Sequence, residues 1–166
     1  YASLEPLNNG KIEFCYDGTD RCIILESKKE LELVEGFELF IGVYNRLVKQ
    51  FDLDKLSFRL TSYIEAPQGS GLGTSSTIVV SLIGAFVEWL KLPLGKYDIA
   101  HLAYEIERVD LSMSGGRQDQ YAATFGGINY MEFLSNDRVI VNPLHLKDKL
   151  VNELEFNLLL YFTATQ

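Results

Sequence analysis

The run Gly69-Ser70-Gly71-Leu72-Gly73-Thr74-Ser75-Ser76 constrains the fold of this chain more than any other segment. It follows a stretch, Leu56 to Glu65, in which Leu56, Phe58 and Leu60 alternate with polar partners, the pattern of a strand with one wet face. It leads into a helix, reaching about Leu90, that is apolar nearly all round and therefore central and buried. Between the two, alternating glycines permit positive φ and let the backbone approach a ligand closely. Hydroxyl residues at the helix start add donors to the exposed backbone N–H groups, and the helix dipole favours an anion there. The spacing predicts a phosphate cradle, with a flexible loop ending in a Ser/Thr N-cap as the plain alternative. No Lys follows the last glycine, so this is not a Walker loop. The glycines recur every second residue, so it is not the dinucleotide fingerprint either.

The remaining pattern predicts an α+β two-layer sandwich. Strands are expected at Tyr1 to Glu5, Lys11 to Tyr16 and Cys22 to Glu26, with Asn9-Gly10 and Asp17-Gly18 as the turns of a meander. Phe37, Phe40, Ile41, Tyr44, Leu47, Val48 and Phe51 stand at helical spacing within Glu35 to Phe51. A helix from Tyr97 to about Asp110 carries Ile99, Leu102, Ala103 and Ile106 on one stripe. After a polar loop, a short helix ends at Gly126-Gly127. Strands are expected at Ile128 to Phe133 and Val139 to Val141, a helix at Leu146 to Leu154, and a last buried strand at Glu155 to Phe162. A length of 166 residues suits one domain. The chain opens and closes on strand-like stretches, so it is expected to be a piece of a longer protein, incomplete at both ends.

Composition narrows the function classes. The charge balance, 15 − 23 = −8, spread without long runs, argues against wrapping nucleic acid or lying on anionic lipid. The longest apolar stretch, Ile78 to Leu90, is too short to span a bilayer. Cys15 and Cys22 are too few for a disulfide framework and are expected to be buried thiols in a reducing cytoplasm. His101 and His145 are isolated, and no Cys/His cluster has metal-ligand spacing.

Two further places carry chemistry. At 100° per residue, Glu107 lies beside the apolar stripe of its helix, so its carboxylate is able to reach a shielded cleft and hold Mg²⁺, a cation that takes oxygen ligands. The bland reading is a solvated pair with Arg108. Asp119 sits at the entry from Gly115-Gly116-Arg117-Gln118 into the short helix, where it serves either as a cap or as the group that orients an attacking hydroxyl. Arg117 is placed to neutralise phosphate or developing charge.

Together these elements resemble the GHMP small-molecule kinases. That family's Pro-x-x-x-Gly-Leu-Gly-Ser-Ser stretch is matched by Pro67 and Gly71-Leu72-Gly73-Thr74-Ser75, with Thr in place of the first Ser. The resemblance implies an N-terminal kinase domain of the ribosomal protein S5 domain 2-like fold, here without its C-terminal partner domain. It implies ATP held by Pro67, Gly69, Ser70, Gly71, Leu72, Gly73, Thr74, Ser75 and Ser76. It further implies Mg²⁺ held by Ser75 and Glu107, and Asp119 as the catalytic carboxylate assisted by Arg117. The stretches Glu105-Ile106-Glu107-Arg108 and Gly116 to Gly127 look most like the kinases of D-glycero-D-manno-heptose 7-phosphate, which phosphorylate the anomeric hydroxyl of a phosphorylated sugar for nucleotide-heptose and surface polysaccharide synthesis. Galactose, fucose, mevalonate and homoserine kinases of the same family stay open, as does a non-catalytic sugar or nucleotide sensor. Homo-oligomerisation is left open, and no nucleic-acid or membrane partner is expected. The family's N-terminal substrate motif and C-terminal Gly-rich segment are not found between Tyr1 and Gln166.

Overall fold

A computed structural model describes residues 1–54, 56–66 and 71–161. The chain forms two compact units, Tyr1–Thr124 and Phe125–Gln166.

In the first unit, strands β1 (Ala2–Pro6), β2 (Lys11–Tyr16), β3 (Cys22–Glu26) and β4 (Phe58–Ser62) make one sheet in the order β1-β4-β2-β3. β4 runs parallel to β2 and antiparallel to β1, and β2 pairs antiparallel with β3. Only β2–β3 is therefore a hairpin, and the meander expected from the turn signals is corrected. Turn signals mark where the chain reverses but do not select which strands pair. Ile12 and Phe14 of β2 and Phe58 and Leu60 of β4 are fully buried, while β1 and β3 bury their inward residues only in part. The central strands, flanked on both sides, bury their inward residues completely, and the edge strands keep theirs partly open.

Helices α1 (Glu38–Phe51), α2 (Thr74–Leu90) and α3 (Lys96–Glu105) lie on one side of the sheet. The apolar stripe read from the sequence of α1 is the buried one: Phe40, Ile41, Tyr44, Leu47 and Val48 all enter the core. Phe58 is its hub, with ring centroids 5.9 Å from Phe14, 5.1 Å from Phe86, 5.6 Å from Trp89 and 6.0 Å from Tyr44. On the opposite, open face, Arg59 pairs across the strands with Glu13 at 2.7 Å.

That open face also corrects the expectation of free thiols. Cys15 and Cys22 are direct antiparallel partners, their Cα atoms 4.2 Å apart, and they form a disulfide. Facing side chains of a non-hydrogen-bonded strand pair stand close enough for a bond that sequence separation alone does not reveal.

Helix α3 continues as a π-helical turn over Ile106–Asp110, marked by the hydrogen bond from the Leu111 amide to the Ile106 carbonyl at 2.9 Å. Helix α4 (Gln118–Phe125) then ends at Gly126 and Gly127, both at positive φ, as the paired glycines predict.

The second unit holds an antiparallel hairpin of β5 (Asn129–Phe133) and β6 (Val139–Pro143), followed by α5 (Asp148–Asn157). The buried strand expected over Glu155 to Phe162 is not formed among the described residues. Helix α5 runs through Asn157, and Phe156, Leu159 and Tyr161 are 89%, 95% and 86% exposed. A strand requires a neighbour for its backbone groups, and β5–β6 is the whole of this unit's described sheet. Phe162 lies outside the described residues.

Phe58→Ala should cost about 3–5 kcal/mol of unfolding free energy, because it empties the hub of the aromatic core; denaturant unfolding measures this. The double change Cys15→Ala/Cys22→Ala should cost at most about 2–3 kcal/mol in the oxidised protein, since the bond closes only a short loop. The same experiment under reducing conditions should bring the parent protein down to the level of the variant.

Candidate active site

Three segments meet at the N-terminus of α2. Gly71 and Gly73 take φ of 72° and 71°, the left-handed values that their alternation predicts, and the helix begins at Thr74. Its N-cap residue, Gly73, has no side chain to cap it. The first amides of α2, from Thr74, Ser75 and Ser76, thus have no partner within the helix, and the positive end of the dipole lies beside them. Pro67, Gly69 and Ser70 lie outside the described residues.

The second segment is the π-helical turn. Widening the helix here brings Glu107 inward, and its carboxylate is 1% exposed, so the solvated surface pair with Arg108 does not occur. Arg46 of α1 clamps both flanks of the turn through Glu105 and through Asp110, the latter at 3.0 Å. Gly42 makes this approach of α1 feasible, because a Cβ there would stand 2.9 Å from Leu111 Cδ1. Arg108 lies over the carboxylate, its Nη1 3.9 Å from Glu107 Oε1, and also ties down the following loop, donating to the carbonyls of Gly116 at 3.1 Å and Ser114 at 3.0 Å.

The third segment is the first turn of α4. Gln120, fully buried, donates through Nε2 to Ser76 Oγ at 3.0 Å and to Glu107 Oε2 at 2.5 Å. One amide therefore joins α2, the π turn and α4. Asp119, the residue before it, is exposed and packs against Gly73. A Cβ at position 73 would stand 3.1 Å from Asp119 Cγ. Arg117 lies with its guanidinium 4.8 Å above the Tyr104 ring.

The expected residues thus divide. Gly71, Leu72, Gly73, Thr74, Ser75 and Ser76 surround the helix start, with Glu107 and Asp119 brought to it from distant positions in the chain. The hydroxyl linked to Glu107, through Gln120, is that of Ser76, whereas Ser75 is exposed and lines a cavity. Gln120 was not singled out from the sequence; the one available signal was a long amide placed next to an exposed carboxylate in the first turn of a short helix.

Among the described residues, Glu107 Oε1, Thr74 Oγ1 and Gln120 Oε1 are buried without a hydrogen bond, and Glu107 Oε1 lies 3.9 Å from Arg108 Nη1. A carboxylate oxygen and a hydroxyl, each buried without a hydrogen bond, are donors of the kind a hard divalent cation such as Mg²⁺ takes. Among the described residues no group of three His, Cys, Asp or Glu could hold a metal ion, so any cation here would complete its shell with water or phosphate.

Two cavities flank the α2 N-terminus, and Thr74 and Ile78 line both. One, of about 320 Å³, is bounded by Tyr1, Tyr63, Glu65, Leu72 and Thr77. The other, of about 450 Å³, is bounded by Tyr16, Arg21, Glu38, Ser75 and Met113. Tyr16 donates its hydroxyl to the Gly36 carbonyl at 3.1 Å, and burial pushes its phenol pKa up, partly offset by Arg21.

Residues 38–127 match the family described as GHMP kinases N terminal domain. The chain is 53% identical over 163 residues to a D-glycero-alpha-D-manno-heptose 7-phosphate kinase of Campylobacter jejuni, covering 98% of this chain and 48% of that protein. It superimposes with a TM-score of 0.89 and 54% identity on a crystal structure of a D-glycero-D-manno-heptose 1-phosphate kinase from Bacteroides thetaiotaomicron, over 93% of this chain and 50% of the other. A mevalonate kinase structure at 17% identity, with a TM-score of 0.72, shares the fold. The chain thus spans about half the length of these relatives.

Gln120→Met keeps the side chain's length but removes both donated bonds, leaving Glu107 and Ser76 without that donor. A loss of about 1–3 kcal/mol is expected in urea unfolding. The same substitution placed on a Glu107→Gln background should cost less, since no buried charge is then stranded.

Proposed function

The chain belongs to the GHMP kinase family, and from that premise we propose that the intact protein transfers the γ-phosphoryl group of ATP to the anomeric hydroxyl of D-glycero-D-manno-heptose 7-phosphate. The observation that carries this reading is the junction at Thr74. A helix start whose N-cap is a glycine lies between two cavities, with Glu107 and Asp119 brought to the same place. One cavity is assigned to the nucleoside and the other to the acceptor, so the transferred phosphoryl group sits between them at the α2 amides.

The chain's own residues would do the following. The amides of Thr74, Ser75 and Ser76 bind phosphate oxygens and cost no reorganisation as charge shifts. Ser75 and Glu107 would hold Mg²⁺, with Gln120 fixing the orientation of the carboxylate through Oε2. Bound there, Mg²⁺ neutralises phosphate charge. Asp119, exposed and adjacent to Gly73, accepts or orients the proton of the sugar hydroxyl, and Arg117 offsets negative charge on the acceptor side. Positioning and charge neutralisation supply most of the acceleration in such a transfer, so few residues are needed.

The names of the two closely similar relatives place the phosphate at different carbons, and both name a heptose phosphate. The net charge of −8 argues against a nucleic-acid surface, so a small anionic ligand would be held by local donors such as the α2 amides. Dependence on ATP favours the cytoplasm, where thiol buffers would hold Cys15 and Cys22 reduced for much of the time.

The test is an ATP-coupled assay of the full-length protein with heptose 7-phosphate, beside its Asp119→Asn variant. Asn keeps the shape and cannot take a proton, so kcat should fall by about 10²–10⁴-fold with thermal stability unchanged. A stable variant with normal turnover would reduce Asp119 to a helix cap.

A further inference from the structure

We infer that Arg21 is the receptor for the phosphate already carried by the sugar acceptor, and so the residue that makes this site select a phosphorylated sugar over a free one. The inference rests on the kinase reading above and adds to it a specificity determinant.

Arg21 lines the larger cavity, the one that also contains Ser75 and Thr74 at the helix start. Its guanidinium is stacked rather than loose: the central carbon lies 5.0 Å from the Tyr16 ring centroid and 5.9 Å from that of Phe37. Stacking of this kind leaves the edge of the planar fork free to bind an oxyanion. The backbone makes room for it, since Gly36 has φ of 81° and a Cβ there would stand 2.3 Å from Arg21 Nη2. Any other residue at 36 would be strained and would displace the guanidinium.

Among the described residues no carboxylate approaches Arg21 within ion-pair distance. The nearest candidate by position, Glu38, turns its Oε1 to the Gly36 amide at 3.0 Å. Arg21 is exposed at the edge of a cavity beside the transfer site, stacked and, among the described residues, with no acid against it, so its fork is open to an anion on the ligand. The hairpin holds the arginine's backbone in place: the Tyr16 amide donates to the Arg21 carbonyl at 3.0 Å, and the Arg21 amide donates to Thr19 Oγ1 at 3.2 Å. The Cys15–Cys22 bond closes the same turn one residue further along each strand.

The experiment uses the full-length protein, with Arg21→Met and Arg21→Lys. Met keeps a stem able to pack on Tyr16 and Phe37, whereas Lys keeps the charge and loses the fork. KM for heptose 7-phosphate should rise by about 10–100-fold in Arg21→Met and by less in Arg21→Lys. KM for ATP, and the weak turnover of the same heptose without its phosphate, should be unchanged. Calorimetric binding of heptose 7-phosphate without ATP should weaken in the same order. Equal losses on both sugars, or an unchanged KM, would overturn the assignment. A wild-type protein that binds heptose 7-phosphate through Arg21 but never phosphorylates it would sink the kinase reading and keep the assignment of Arg21.

Discussion

A carboxylate buried almost completely inside an acidic domain is the constraint around which the first unit is arranged. Desolvating Glu107 is costly unless its oxygens are paired, and among the described residues only Oε2 is hydrogen-bonded, by Gln120, while Oε1 has the longer ion pair to Arg108 at 3.9 Å. The neighbouring architecture can be read as what holds that group in place. The π-helical turn carries it inward, Arg46 braces the turn from α1 on both flanks, and Gly42 allows α1 to come close enough. Gln120 extends the same network to Ser76. A site that retains a buried oxygen without a hydrogen bond retains it at a cost in stability, which fits a position whose partner is supplied by a ligand.

The second constraint is space. Helix α2 is the most apolar helix and is anchored by Ile78, Val79, Leu82, Ile83 and Phe86, so its N-terminus is a rigid platform. Glycine at 73 lets Asp119 stand against the helix start, and glycine at 36 lets Arg21 reach the adjoining cavity. Each glycine is defined by the side chain that occupies the place where its own would be. In both cases positive φ and close approach coincide, so substitution is penalised twice. The chemistry assigned to the site follows from these clearances as much as from the charged groups.

Much of this was legible in the sequence. The alternation of Phe58 and Leu60, the spacing of Phe40, Ile41, Tyr44, Leu47 and Val48, and the glycine pair at 126–127 are local signals, and local sterics and burial decide them. The cradle at Gly71 to Ser76 was legible for the same reason: glycines followed by hydroxyls at a helix start have few other uses. Hydrophobicity alone misled at Phe156 to Tyr161, where an apolar run had no strand beside it within its unit.

What the tertiary structure alone decided was pairing across distance. Turn residues mark where a chain reverses but not which strand becomes its neighbour, so the insertion of β4 between β1 and β2 was invisible. Cys15 and Cys22 become a disulfide only because the register of β2 and β3 sets them face to face. Gln120 gains its role from Glu107 and Ser76, residues 13 and 44 positions away, and Arg21 gains its role from a cavity built by α1, α2 and the loop before α4. Sequence determines the backbone's local preferences because those energies act between near neighbours. The partners of a buried charge or a stacked arginine are fixed only when packing has brought remote segments within hydrogen-bonding reach.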